Sequence, residues 1–464
     1  MRKLLLAVIT ALALLGAFLV PATSASAASP TDEFFQYTGS TPLAQIAPGT
    51  PLKTRVVNYS IQGLPLPLKA IQILFRTTDA LGNPVVSATT VVHPLGAKAP
   101  ITKVLSYQSF YDSLNPADQP SVAIAGGAGL GPAIANVETL IFAPLLLMGQ
   151  AINIPDTEGQ KADFAAGPEY GRNTLDSLRA ISQTTDSGIA TDPQIVLMGY
   201  SGGAIASEWA AEMAPGYAPD VNKNIIGTAI GGVLVDPAHN LDYVGGSLVW
   251  AGVIPMALVG ISRSYQVDLT QYLNAYGKSV VTKMQKASIS QVLAAYPGLT
   301  WQKIALPQYS DPTKIPIYVD SVNKLIMGRS GTPSAPMLIG QGNGGYLEGT
   351  PPSTHYGPGD GVMIAGDVRT LARNYCDRGV TVKYTEYPLS HFTSVAFWLP
   401  QAYGWIVNRF AGHDAPTSCG SIKAGNSVEP ISLATATAKA PKIAAKAPQQ
   451  PLAGSVPVAP RTGL

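Results

Sequence analysis

The periodicity of apolar residues predicts β-strands near the start of the chain. Residues 70–78 and 85–93 are rich in β-branched and apolar side chains, and the turn-forming residues 79–84 separate them. This pattern predicts a β-hairpin. The residues before the hairpin show no clear period, so an irregular start is expected.

Short apolar runs then recur and alternate with segments of helical composition, such as residues 174–182 and 204–213. An antiparallel opening followed by alternating strands and helices predicts an α/β fold with a mostly parallel sheet and helices on both faces. The strands predicted after the hairpin are residues 104–105, 151–154, 194–198, 226–235, 337–340 and 380–387.

Residues 240–306 interrupt this alternation. They contain apolar, helix-compatible stretches and no clear strand, which predicts a helical cap or lid inserted into a core of residues 28–239 and 307–416. Additional core helices are the alternative. The apolar run at residues 245–261 contains Pro255 and is shorter than a membrane span requires, so no integral span is expected in the mature chain.

The two ends of the chain differ in composition from the rest. Arg2 and Lys3 precede an apolar run and small residues that end at Ala27, so residues 1–27 are expected to be a cleavable signal peptide. An uncleaved membrane anchor is the alternative. Residues 417–464 are rich in Ala, Pro and Lys, which predicts a disordered tail.

Composition excludes some partners. Only 12% of residues are charged and the net charge is +2, so no basic surface for nucleic acid is expected. Two cysteines in an exported chain, Cys376 and Cys419, are expected to form one disulfide rather than to remain free thiols. The five histidines are dispersed and no phosphate-binding motif is present, so neither a metal nor another cofactor is expected.

The sequence Gly-Tyr-Ser-Gly-Gly at residues 199–203 matches the G-x-S-x-G pattern of a nucleophile elbow. An apolar run directly precedes it and a helical segment directly follows it, as a strand-to-helix turn requires. The N-terminus of such a helix directs backbone amides at a developing oxyanion. The motif therefore predicts Ser201 as a nucleophile and the Gly202 amide as an oxyanion-hole donor. A glycine-rich turn with an incidental serine is the alternative.

A serine nucleophile of this kind is followed in the chain by an acid and then by a histidine. His391 follows the last predicted strand and precedes a helix that Pro400 would open, which is where the base is expected; His355 is the alternative. Asp360, reached after a Gly- and Pro-rich excursion, is the predicted acid. The competing acids are Asp367, Glu348 and Asp236.

Several stretches resemble the secretory lipase family typified by Candida antarctica lipase A, in particular its actinobacterial members. The resemblance implies an α/β-hydrolase core, a helical lid, a disulfide near the C-terminus and hydrolysis of acylglycerols and simpler esters. It assigns the catalytic triad to Ser201, Asp360 and His391. The matching stretches are residues 107–113, 154–159, 199–219, 375–379, 390–391 and 408–412.

The resemblance also implies that Asp112 joins Gly202 in the oxyanion hole. No His-Gly-Gly-Gly sequence follows the early strand to provide a second donor in another way. An ionised carboxylate would repel an oxyanion, so Asp112 must be protonated or act through its backbone N–H.

These observations predict a secreted, monomeric serine hydrolase that cleaves carboxylic esters of lipids and works at a lipid–water interface. A short-chain esterase or an envelope acyltransferase on the same fold would use the same site. The alternative that is not an enzyme is an envelope-binding protein that keeps the hydrolase scaffold without catalysis.

Overall fold

A computed structural model describes residues 32–434 of the chain. The predicted signal peptide, residues 1–27, and residues 435–464 of the predicted tail lie outside the described residues.

The strands of the described residues form one nine-stranded sheet. Neighbouring strands among β1, β2 and β3 are antiparallel, and β3 also pairs antiparallel with β5. All the remaining pairs are parallel. The spatial order is β1-β2-β3-β5-β4-β6-β7-β8-β9. The predicted hairpin and the mostly parallel sheet are confirmed. In chain order the strands are β1 (Pro51–Ile61), β2 (Leu64–Thr78), β3 (Pro84–Val92), β4 (Ile101–Gln108), β5 (Ala151–Pro155), β6 (Ile189–Tyr200), β7 (Ile225–Gly231), β8 (Met337–Gly342) and β9 (Val382–Tyr387).

Residues 32–50 contain two short 3₁₀-helices and no strand, but the expectation of an irregular start is wrong for β1, a strand of 11 residues that pairs with β2 with two register shifts. β1 is an edge strand of the sheet and most of its residues are exposed or half-buried. Polar residues can therefore stand at several positions of this strand, among them Lys53, Thr54 and Arg55. These residues remove the alternation by which a half-buried strand is recognised.

Helices connect the parallel strands. The three longest span Gly167–Gln183, Gly202–Tyr217 and His391–Phe410, and a group of shorter helices lies between β7 and β8. In chain order the helices are α1 (Pro120–Ile124), α2 (Leu130–Val137), α3 (Thr139–Leu147), α4 (Gly167–Gln183), α5 (Gly202–Tyr217), α6 (Pro219–Asn222), α7 (Pro237–Tyr243), α8 (Val253–Ser264), α9 (Ala275–Met284), α10 (Ile289–Val292), α11 (Trp301–Ile304), α12 (Pro316–Asn323), α13 (Ala365–Asp377) and α14 (His391–Phe410).

The helices cover both faces of the sheet, as predicted. Consecutive residues of a strand point to opposite faces. On β6, Val196 belongs to a buried cluster with Trp398 of α14, whereas Leu197 belongs to a different cluster with Leu175 of α4. Burial on both sides makes the carboxyl ends of these strands a rigid base for side chains.

A helical insertion lies between β7 and β8, where the cap was expected at residues 240–306. Its helices share one hydrophobic cluster that contains Trp250, Leu258 and Val281. Tyr318 of α12 belongs to the same cluster, so the packed insertion continues beyond residue 306.

Residues 417–434 correct the prediction of a disordered tail from residue 417 onward. Cys419 is bonded to Cys376 of α13, so the expected disulfide is present. Ile422 and Val428 are buried in the cluster that covers α13. The disulfide and these two apolar contacts hold a segment whose composition alone indicated disorder.

One helical stretch within residues 32–434 is long and apolar enough to cross a membrane, with a mean hydropathy of 1.6. It is Leu130–Leu147, which comprises α2 and α3. Phe142 and Leu145 are buried in a core cluster with Ile152 of β5, and 39% of the stretch is buried. This packing is typical of a core helix that keeps one apolar face exposed.

Candidate active site

Ser201 lies in the turn between β6 and α5. Its φ of 54° and ψ of −123° place it in a region of the backbone map that a non-glycine residue occupies only at an energetic cost. Its N–H donates to the carbonyl of Gly231 on β7 at 2.9 Å, which fixes the turn against the sheet. The sequence thus forms the strained strand–turn–helix junction of a nucleophile elbow.

Glycines around Ser201 allow strand, helix and loop to approach closely. A β-carbon on Gly199 would lie 2.0 Å from the carbonyl oxygen of Gly203. A β-carbon on Gly203 would lie 2.0 Å from the carbonyl oxygen of Gln108, and one on Gly202 would lie 1.8 Å from Oδ1 of Asp112. Side chains are therefore excluded at these positions. The two residues expected in the oxyanion hole, Gly202 and Asp112, are in contact.

The predicted base and acid are hydrogen bonded to each other. His391 Nδ1 lies 2.8 Å from Asp360 Oδ2, and both side chains are buried. The other carboxyl oxygen of Asp360 accepts the backbone N–H groups of Val362 and Met363 at 3.0 and 2.7 Å. Burial opposes protonation of His391, but the charge and hydrogen bond of Asp360 outweigh it and raise the imidazole pKa. Asp360 therefore stabilises the protonated form of the buried His391 imidazole.

Gln341 stands at the end of β8, where a carboxylate was expected to follow the strand. Its side-chain N–H donates to Asp360 Oδ2 at 3.0 Å, and its side-chain oxygen accepts the Val233 N–H at 2.9 Å. Gln341 thus orients the acid that the insertion brings back to the strand end. This role was missed in the sequence, although an amide residue directly after an apolar strand was the available signal.

Tyr200 links the histidine to the nucleophile. It directly precedes Ser201, its hydroxyl donates to the backbone carbonyl of His391 at 2.7 Å, and its ring centre lies 5.1 Å from that of the imidazole. A β-carbon on Gly232 would lie 2.7 Å from Cε1 of His391. The pair of His391 and Asp360 therefore lies beside Tyr200 and Gly232 at the carboxyl ends of β6 and β7, and Ser201 directly follows Tyr200.

The helix after the last strand begins earlier than predicted. A capping box formed by Ser390 and Thr393 starts α14 at His391, and Pro400 lies inside the helix. The local capping hydrogen bonds therefore determine the start of the helix, and the proline does not. This early start places His391 in the first turn.

Two competing residues have other partners. His355 is exposed, and its Nδ1 lies 3.4 Å from Oδ2 of Asp242. Glu348 accepts the indole N–H of Trp250 at 2.7 Å and the backbone N–H of Phe392 at 2.9 Å. Trp250 in turn packs with its ring centre 5.1 Å from that of the catalytic candidate His391. Glu348 therefore supports the surroundings of the histidine without touching its ring nitrogens.

The other two competing acids belong to a separate buried cluster. His239 Nδ1 lies 3.0 Å from Oδ2 of Asp367, and its Nε2 lies 3.6 Å from Oδ2 of Asp236. The Asn426 side chain donates to the second oxygen of Asp367 at 2.7 Å. This cluster ties Asn426 to α7 and α13, and among the candidate acids Asp360 is the one that is hydrogen bonded to His391.

An apolar cavity opens at Ser201. Asp112, Ser201 and Gly202 line it. The remaining wall comes mainly from the helical insertion and is apolar apart from Asn240, which is typical of a site for an apolar ligand. Examples of these lining residues are Trp250, Ile254, Leu258, Ile261, Tyr318 and Met363. In residues 32–434 no group of three or more His, Cys, Asp or Glu side chains is placed to hold a metal ion.

Known proteins share this architecture. Lipase 1 of Candida albicans is 32% identical over 358 residues, which cover 75% of this chain and 73% of that protein. A protein of Mycobacterium tuberculosis described as a probable inactive lipase is 29% identical over 371 residues, 79% of each chain. The X-ray structure of Candida antarctica lipase A in its closed state matches with a TM-score of 0.72 and 25% identity, covering 88% of this chain and 92% of that one.

Residues 127–418 match the family described as secretory lipase, which is more than half of the chain. The structural match to lipase A confirms the predicted α/β-hydrolase fold. The predicted resemblance is confirmed with it. The chain belongs to the secretory lipase family, a family of ester hydrolases with the α/β-hydrolase fold.

Proposed function

We propose that the protein is a secreted lipase that hydrolyses carboxylic esters of lipids, such as acylglycerols, through an acyl intermediate on Ser201. The observation that carries the proposal is that Ser201 lines a cavity whose wall is mostly apolar. The hydrogen-bonded pair of His391 and Asp360 beside the same strand ends supports it.

In the proposed reaction, Ser201 Oγ attacks the ester carbonyl while His391 takes the hydroxyl proton. Asp360 accepts hydrogen bonds from His391 Nδ1, from two backbone N–H groups and from the Gln341 amide, and in this position it stabilises the imidazolium. The Gly202 N–H and Asp112 stabilise the tetrahedral oxyanion. His391 then protonates the leaving alcohol, and water releases the fatty acid by the same steps.

The surface next to His391 supports a lipid–water interface as the place of action. Phe392 stacks on Trp250 with ring centres 5.0 Å apart, and Leu248 packs against the backbone of Gly349. We name the exposed apolar residues of this region the mouth patch: Leu248, Tyr346, Leu347 and Phe392, which are 60%, 65%, 53% and 47% exposed. Apolar side chains grouped on a surface mark sites of contact with proteins or lipids.

The double variant Leu248→Ser/Leu347→Ser is expected to lower activity on emulsified triacylglycerol about 3–10-fold, because apolar area that enters the interface is lost. Hydrolysis of a soluble p-nitrophenyl ester should stay within about twofold of the wild type. Leu95→Ser is the matched control, since Leu95 is 72% exposed in the loop before β4, at the end of the sheet where β4 begins and opposite the strand end that precedes Ser201. Equal losses on both substrates would contradict a role for the mouth patch at the interface.

Substrate length tests the proposed lipase against its nearest rivals. Rates on p-nitrophenyl esters from acetate to palmitate, together with emulsified triolein, are expected to show turnover of long acyl chains because the cavity wall is apolar. Absence of turnover beyond butyrate would favour a short-chain esterase. Esters formed with an added alcohol at the expense of free acid would favour an acyltransferase.

A fluorophosphonate probe tests catalysis itself, which matters because one similar protein is described as probably inactive. We expect covalent labelling of the peptide that contains Ser201. Failure to label and to hydrolyse any ester would favour the non-catalytic scaffold.

We also propose that the chain is exported as a monomer and loses residues 1–27. The family description as secretory supports export. Mass spectrometry of protein secreted by a bacterial host should find a mature chain that begins near Ala28. A chain that keeps Met1 would contradict the cleavage.

A further inference from the structure

The loop of residues 109–113, which carries Asp112 from β4 toward Ser201, is held in an unusual conformation. Asp112 has a φ of 31°, in the left-handed region that a residue with a side chain seldom occupies. Its carboxyl group lies against Gly202, the other residue of the proposed oxyanion hole. The contacts that impose this conformation therefore affect the oxyanion hole.

Glu158 holds one side of this loop. It lies just after β5 and is 1% exposed. Both of its carboxyl oxygens accept the backbone N–H of Ser113 at 3.2 Å, and one accepts the hydroxyl of Tyr170 at 3.0 Å. Its own backbone N–H donates to the hydroxyl of Tyr111 at 3.2 Å. Glu158 is thus bound to the residues on both sides of Asp112.

Glu138 holds the other side of the loop and is also 1% exposed. Its carboxyl oxygens accept the backbone N–H of Phe110 at 2.7 Å, the hydroxyl of Tyr107 at 3.1 Å and the hydroxyl of Ser109. The loop of residues 109–113 is therefore hydrogen bonded to a buried glutamate on each side of Asp112.

Asp112 differs from both glutamates in its hydrogen bonds. Among residues 32–434, no protein group donates a hydrogen bond to its carboxyl oxygens. Donors stabilise an ionised carboxylate, so their presence at Glu158 and their absence at Asp112 favour charge on Glu158 and a proton on Asp112. The nearby guanidinium of Arg263 also favours negative charge on Glu158.

The two carboxyl groups are close enough to affect each other's ionisation. Burial raises the pKa of Asp112 to about 7. Burial and then repulsion between the two carboxyl groups raise the pKa of Glu158 as well, but the hydrogen bonds from Ser113, Tyr170 and Tyr111 oppose that rise. Two buried carboxyls that interact in this way do not both ionise easily, so the pair retains a proton near neutral pH.

We propose that Glu158 is a positioning residue that carries the negative charge of this pair and thereby keeps Asp112 protonated, as a hydrogen-bond donor to the oxyanion. The inference rests on the proposed function, in which the oxyanion forms between Asp112 and the Gly202 N–H. Glu158 acts on the reaction only through Asp112.

This arrangement sets the alkaline side of the pH profile. As the pH increases, activity rises when His391 loses its proton and falls when Asp112 loses its proton. The two apparent pKa values of this profile belong to the coupled site and not to single residues. The titratable and charged groups that face Asp112 are His391 on α14, Tyr170 on α4, Glu158 after β5 and Glu138 before α3. Repulsion with Asp112 follows directly after burial among the influences on Glu158, whereas at Glu138 the hydrogen bonds from Ser109, Phe110 and Tyr107 come before it.

The test is the pH dependence of kcat/KM of the full chain on p-nitrophenyl butyrate. Glu158→Gln removes a negative charge beside Asp112, so the falling limb should move to lower pH by about one unit. In an Asp112→Asn background, which supplies a donor that cannot ionise, Glu158→Gln should leave the profile unmoved. Glu138→Gln, the matched control, should shift the limb less than Glu158→Gln does.

Tyr170→Phe keeps the proposal testable if Glu158→Gln fails to fold. It removes one donor from Glu158 and should shift the falling limb in the same direction by a smaller amount. An unmoved limb in Glu158→Gln, an equal shift in Glu138→Gln, or a persistent shift in the Asp112→Asn background would overturn the role of Glu158. A wild type that neither labels nor turns over ester refutes the proposed function instead, so the two failures are distinguishable.

Discussion

Ser201→Ala is expected to lower kcat on p-nitrophenyl butyrate by about 10⁴-fold or more, because no other atom at the site can form the acyl intermediate. The elbow should survive the change, since Ser201 is held by its backbone N–H and its side chain does not cap α5. Rates and fluorophosphonate labelling should both vanish, while the thermal midpoint of unfolding stays near that of the wild type.

Ser207→Ala is the matched control. Ser207 is a buried serine on α5, the helix that Ser201 precedes, and its hydroxyl is hydrogen bonded to the Gln108 side chain at 2.6 Å. The change should cost stability by about 1 kcal/mol and leave labelling intact. If Ser201→Ala labels as well as the wild type does, the probe and the reaction use another nucleophile.

The parts of the site that were predictable from the sequence are those that follow local rules or chain order. The strand, the glycines and the helix around Ser201 are adjacent in the chain, so their joint pattern indicates an elbow. His391 follows the last strand, which is where the fold places its base. Asp360 required the further step of recognising an insertion after β8.

The supporting residues were not predictable, because their partners are distant in the chain. Gln341 contacts Asp360 across the insertion, and Glu158 contacts Ser113 from a different strand end. A polar residue after a strand is expected to lie at the edge of the sheet that carries the site. The sequence does not show which residue it contacts there. The edge strand β1 and residues 417–434 were missed for a similar reason. β1 is stabilised by pairing with β2, and residues 417–434 are attached by the disulfide, so neither is recognisable from its own pattern of apolar residues.

Asp360→Asn is expected to lower kcat by about 10⁴-fold while leaving the fold intact. The amide would present an N–H to His391 Nδ1, so the imidazole would carry its proton on Nε2 and could not accept the one from Ser201. The loss should appear in kcat far more than in KM, because the acyl cavity is unchanged. Stopped-flow measurement of acylation on p-nitrophenyl butyrate checks this.

Asp367→Asn separates the two carboxylates that compete for the role of acid. Asp367 is as buried as Asp360 and also bonds a histidine, but that histidine is His239, outside the proposed triad. This variant should lower thermal stability and keep kcat within about threefold of the wild type. If Asp367→Asn loses kcat and Asp360→Asn keeps it, the acid is misassigned. The hydrogen bond of 2.8 Å between His391 and Asp360 would then be structural.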